Sequence, residues 1–124
     1  NATLTSDWES LVDAYRAQGF KVLGVLPVPY TSSSNSFVDA AGQTMLQTTA
    51  RAALITKING LLGTKLVGII DPRTYLADAG NNALWISTGA ANYATSDGIH
   101  PSPTAHDLAK TSVSDAATAG YFAL

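Results

Sequence analysis

Two short apolar runs set the outline of this chain. Phe20-Lys21-Val22-Leu23-Gly24-Val25-Leu26 stops at Pro27, and Lys65-Leu66-Val67-Gly68-Ile69-Ile70 stops at Asp71-Pro72. Neither run alternates apolar with polar residues, as a strand with one wet face does. Both therefore read as strands buried on both faces. Proline ends each because it has no N–H to give to a ladder. Between them the sequence predicts a helix over about Ala40 to Leu62, with Met45, Ala52, Ile55 and Ile58-Asn59 on one face and Gly60 or Gly63 at its end. Strand, helix, strand is the crossover unit of a parallel sheet, and it is right-handed.

The rest of the chain surrounds that unit. Thr5-Ser6-Asp7 reads as a helix start, Trp8, Leu11, Val12 and Tyr15 recur at helical spacing, and Gly19 is the stop. Pro27 to Ser36 reads as a loop. Residues 73–96 read as irregular, with a turn at Gly80-Asn81-Asn82. Pro103-Thr104 opens a last helix to about Ala117, with Leu108 and Val113 as its apolar points. A chain of 124 residues suits one small domain, and no linker or repeat divides it. Two parallel strands alone make a poor sheet, so further strands are expected from before Asn1 or from a partner chain. Val22 to Leu26 should then be covered, because a bare apolar edge invites aggregation.

Composition narrows the partners. A net charge of −2 without a run of Lys or Arg argues against nucleic acid or an anionic membrane surface. No apolar run approaches the ~20 residues of a membrane span. There is no cysteine, hence no disulfide framework and no thiolate metal site. No basic segment followed by an apolar one marks a signal peptide. Asn1-Ala2-Thr3 matches the glycosylation sequon. A start at Asn1 rather than Met implies a processed chain or a missing beginning. Few charges and much Ser, Thr and Ala fit an extracellular or virion-surface setting.

The chemistry concentrates in Asp97-Gly98-Ile99-His100-Pro101. A carboxylate stands three residues before an imidazole, across a turn loosened by Gly98. Asp97 can reach Nδ1 of His100 and leave the other ring nitrogen free as a base. The same residues can also form a plain turn, in which Asp97 caps Gly98 or Ile99 and His100 merely hydrogen-bonds. The pair follows the second strand, so it should lie at the carboxyl edge of the sheet, where open α/β folds carry their sites. Pro29, Trp85, Tyr93 and Ile99 are the candidate lining of a substrate groove. His106 reads as a helix-surface or packing residue, and no metal site is expected. None of Ser32, Ser33 and Ser34 sits in a Gly-x-Ser-x-Gly elbow, so none is nominated as nucleophile.

On these residues the chain resembles the C-terminal portion of an SGNH (GDSL-type) hydrolase. Asp97-Gly98-Ile99-His100-Pro101 is similar to that family's last sequence block. Leu11 to Leu26, with Ala17-Gln18-Gly19-Phe20-Lys21-Val22-Leu23, is similar to the segment entering its fourth strand, and Pro101 to Lys110 also fits. The family's Gly-Asp-Ser block, its Gly block and its Gly-x-Asn-Asp block have no counterpart here. The resemblance implies a three-layer α/β/α, flavodoxin-like domain with a parallel sheet, of which residues 1–124 supply the last strands and helices. It implies a serine-type ester hydrolase without metal or cofactor, with Asp97 and His100 as triad partners of a serine outside this chain. A carbohydrate O-acetyl ester is one substrate it suggests. Three alternatives stay open: a non-catalytic glycan-binding or structural module, as in a phage tail or secreted protein; a split enzyme whose serine-bearing piece stays associated; and an unrelated flavodoxin-like domain with a chance Asp-x-x-His turn.

Overall fold

The computed structural model describes residues 2–121, so Asn1, the sequon's acceptor, lies outside them. The chain is mixed α/β. Helix α1 (Ala2–Ala17) leads to β1 (Leu23–Val25) and β2 (Thr31–Ser33). A 3-10 turn (Ala40–Gly42) precedes β3 (Gln43–Met45) and α2 (Thr48–Gly60). Then follow β4 (Gly68–Ile70), the single turn α3 (Arg73–Leu76), β5 (Ala77–Asp78), β6 (Asn81–Trp85) and α4 (Pro103–Thr118). No described helix is long and apolar enough to cross a membrane.

The two apolar runs pair in parallel as expected, Leu23 with Gly68, Gly24 with Ile69 and Val25 with Ile70. They form shorter strands than the runs suggest, and Phe20 and Lys21 stay exposed. β2 pairs antiparallel with β3, and β5 with β6. Among the described residues each sheet therefore has two strands. The β1–β4 pair has a helix-bearing segment against each face. A Cβ on Gly24 would lie 2.7 Å from Ile58 of α2, and one on Gly68 would run into the Tyr121 ring that follows α4. Paired residues share a face and successive residues alternate, so these are opposite faces.

Two cores result. One joins α1, α2 and the β1–β4 pair through Val12, Leu26, Ile58, Leu61 and Leu66. Glu9 of α1 ties this side together from outside by receiving Lys57 at 2.6 Å and Lys65 at 2.7 Å. The second core, Phe37, Leu76, Trp85, Ala94 and Ala105, lies beneath the loop that precedes α4. Tyr75 donates to Asp115 at 2.5 Å and fastens α3 to α4.

Several expectations are corrected. The first helix begins ahead of Thr5-Ser6-Asp7, and Ser6 and Ser10 return their hydroxyls to carbonyls of Thr3 and Ser6 instead of capping. Its inward face is Val12, which is buried, and Trp8, which is half-buried. Leu11 and Tyr15 point outward, where Tyr15 meets Phe20 edge-on at 6.0 Å. The second helix starts at Thr48, not Ala40, because Gln43 is claimed by a strand and Gln47 turns left-handed at φ 51°. Met45 is thus an exposed strand residue. The stretch 73–96 holds a helical turn and a hairpin. In that hairpin the Asp78 carboxylate receives the N–H groups of Gly80 and Asn81. Val113 faces out, and α4 buries Ala105, Ser112 and Ala116 instead.

Candidate active-site loop

The loop 93–102 is shaped by side chains bonding to backbone. Ser102 caps α4 by accepting from the Ala105 N–H, with Pro103 in the first turn. Its hydroxyl donates to the Tyr93 carbonyl at 2.7 Å. Thr95 and Pro101 form an isolated antiparallel bridge that closes the loop. Inside it, Oγ1 of Thr95 accepts from the Gly98 N–H at 2.9 Å and donates to the His100 carbonyl at 2.8 Å.

Gly98 is the pivot. Its φ is +78°, in the region that L side chains resist. Its carbonyl receives the Thr31 N–H at 3.0 Å and the indole N–H of Trp85 at 3.0 Å. Trp85 is itself fixed by Gln43, whose amide nitrogen donates to the Trp85 carbonyl at 2.8 Å and whose amide oxygen receives the Trp85 N–H at 2.9 Å. Thr31, Gln43, Thr95 and Trp85 are all buried, so this network sits in low dielectric beneath the turn.

Above it stands the acid–base pair. Oδ1 of Asp97 accepts the backbone N–H groups of Ile99 and His100, each at 2.8 Å. Oδ2 lies 2.7 Å from Nδ1 of His100. One carboxylate oxygen thus caps the turn while the other holds the ring. Since a carboxylate oxygen only accepts, Nδ1 carries a proton, and in the neutral ring Nε2 presents the lone pair. The His100 ring, then the N–H groups of His100 and Ile99, hold the Asp97 carboxyl well below the usual carboxylate range. It is the charged partner that an imidazolium needs. The His100 side chain is 80% exposed, and no described hydroxyl bonds its Nε2. Among the described residues no group of three or more His, Cys, Asp or Glu is placed to hold a metal ion.

The candidate lining residues separate. Ile99 is exposed beside His100, and Tyr93 is half-buried against the second core. Trp85 and Pro29 are fully enclosed and present no surface to a ligand. Trp85 instead acts from below, because a buried indole N–H needs an acceptor and finds it at Gly98. Sequence reasoning missed Thr95, Gln43 and Thr31. Thr95 had a local signal, a hydroxyl three residues before the Gly98 N–H that it receives. Gln43 had none, since its partner lies 42 residues away.

Arg51 of α2 is a further residue missed. It donates to the carbonyls of Val28 at 3.2 Å, Pro27 at 3.3 Å and Asn82 at 3.0 Å. It thereby pins the segment leaving β1 to the start of β6. Arg73 pairs with Asp71 through two nitrogens at 2.6 and 2.7 Å, just past the end of β4. Compared with known proteins, the chain matches no protein-family model, no curated protein and no solved structure.

Proposed function

We propose that residues 1–124 supply the acid–base half of a serine ester hydrolase of SGNH type, as the last strands and helices of a three-layer α/β/α domain. The observation that carries this reading is the 2.7 Å contact between Asp97 Oδ2 and His100 Nδ1, with the other face of the ring open. The nucleophilic serine and the oxyanion donors come from outside this chain. Nε2 of His100 takes the serine proton as the hydroxyl oxygen attacks the ester carbonyl. The imidazolium formed is stabilised by Asp97, and its proton then passes to the leaving alcohol. A water attacks the acyl-serine by the same route, with His100 again as base, and the acid is released. An O-acetyl ester of a carbohydrate is the substrate class we favour.

The test is hydrolysis of p-nitrophenyl acetate, together with fluorophosphonate labelling, by the protein in its native form. His100→Ala and Asp97→Asn should each lower turnover by roughly 10³–10⁴-fold while leaving circular dichroism unchanged. Near-full turnover in His100→Ala refutes the reading. The open Nε2, which no described hydroxyl approaches, also favours a second reading, a glycan-binding or assembly module without catalysis. Absence of any labelled serine with retained glycan binding would select it.

A further inference from the structure

We propose that the cavity enclosed by α2, the end of β3 and the start of β6 binds a small organic carboxylate with an apolar body. The inference does not depend on the ester-hydrolase reading above. The cavity has a volume of about 390 Å³, within the range of small-molecule sites. Arg51 lines it while bonded to the segment leaving β1, and Arg73 lines it from α3, just past β4. It therefore lies at the carboxyl ends of the two parallel strands, the edge where open α/β folds take their ligands.

The first ground is charge. Two cations, Arg51 and Arg73, line this cavity, and no Asp or Glu does. Asp71 stands nearby, but both of its oxygens are taken by Arg73. Arg51 has no ion-pair partner among the described residues, although the chain carries a net charge of −2. Its Nε and Nη2 serve three backbone carbonyls, which bring no counter-charge. Burial first, and repulsion from Arg73 next, make its guanidinium harder to keep protonated. An anion in the cavity relieves both.

The second ground is donor geometry. Nη1 of Arg51 and Nη1 of Arg73 bond no described residue. No buried side-chain nitrogen among the described residues lacks a partner, so both of these groups reach solvent. The Tyr30 and Thr48 hydroxyls line the same cavity and are likewise bonded to no described residue. Two arginines against the single carboxylate of Asp71 leave one positive charge, which a monoanion neutralises and a phosphate dianion overshoots. A carboxylate also matches the planar guanidinium fork. The third ground is the remaining wall. Met45 and Leu46 are exposed there, opposite the half-buried Ile55, and a hydrocarbon body covers them.

Titration of the isotope-labelled protein with sodium hexanoate tests this, followed at the Arg51 Nε–H resonance, which its bond to the Val28 carbonyl protects from exchange. We expect a saturable shift with a Kd of ~1 mM, the scale that a ligand of about eight heavy atoms reaches. Hexanol, which lacks the charge, and acetate, which lacks the body, should each bind at least ~10-fold more weakly. Arg73→Gln should raise the hexanoate Kd by ~10-fold or more. Ala52→Trp, at an exposed lining position of α2, keeps both arginines and should abolish the shift by filling the cavity. No saturable shift up to ~20 mM hexanoate overturns the proposal. Equal affinity for hexanol overturns the carboxylate, and equal affinity for inorganic phosphate overturns the apolar body. Unchanged hexanoate binding in Ala52→Trp places the ligand elsewhere and overturns the site.

Discussion

Replacing Gly98 by Ala should cost far more than its single methyl suggests, and the cost can be worked from the structure. At φ +78° an L residue bears a strain of about 1 kcal/mol. A Cβ there would also overlap the Thr31 carbonyl oxygen and lie 3.1 Å from Phe37. Thr31 is wholly buried, so the loop must move instead. Moving it breaks the bonds that the Gly98 carbonyl receives from the Thr31 N–H and the Trp85 indole. Each buried donor left unpaired costs about 1–3 kcal/mol. The total is roughly 3–7 kcal/mol, a large part of the ~5–15 kcal/mol that holds a typical domain folded. Gly63 provides the control, with φ +76° and nothing within 4 Å of its Cβ position. Gly63→Ala should cost only the backbone strain, about 1 kcal/mol. Urea titration reads the difference: at a slope near 1.5 kcal/mol per M, Gly98→Ala should shift the midpoint down by ~2 M or more. Midpoints of the two variants within ~0.5 M of each other would refute the claim that the turn is locked onto Thr31 and Trp85.

Two further outcomes follow from the same geometry. Trp85→Phe removes one of the two donors to the Gly98 carbonyl but leaves that oxygen bonded to Thr31; it should cost about 1–3 kcal/mol and speed amide exchange at Gly98 to His100, and unchanged exchange would refute the supporting role of the indole. Glu9 is held down to about 2 from its ordinary 4.5, by the hydrogen bond from Lys57 first and that from Lys65 second. Its folded value lies below its unfolded one, so the stability it adds is present above pH 4.5 and is lost as the pH falls toward 2. A carboxyl titration of Glu9 by NMR with a midpoint near 4.5 would overturn this.

What was legible in the sequence is what short-range rules govern. The parallel pairing of β1 and β4 followed from two unalternating runs closed by proline, and α4 followed from Pro103-Thr104. The Asp97–His100 contact followed from three-residue spacing across a glycine. The strand runs, the helix start and the turn each depend on residues close together in sequence, and the crossover rule then pairs the two strands across 45 positions. The errors arose where a distant partner set the local structure. Residues 40–47 have the composition of a helix, yet Gln43 is extended because its amide serves both backbone groups of Trp85. Trp85 has the chemistry of a ligand-facing aromatic, yet it is enclosed because its indole N–H serves the Gly98 carbonyl beneath the turn. Val113 has the spacing of a core residue, but α4 rests on Ala105, Ser112 and Ala116, whose small side chains allow closer approach.

The sequence by itself determined the crossover unit and the turn that joins Asp97 to His100, because hydrophobic runs, capping residues and glycine positions act over a few bonds. Only the tertiary structure decided which face of that turn is held and which is free. Gln43, Trp85 and Thr31 come from three separate stretches of chain, and their hydrogen bonds to one another and to Gly98 exist only once the fold has brought those stretches together.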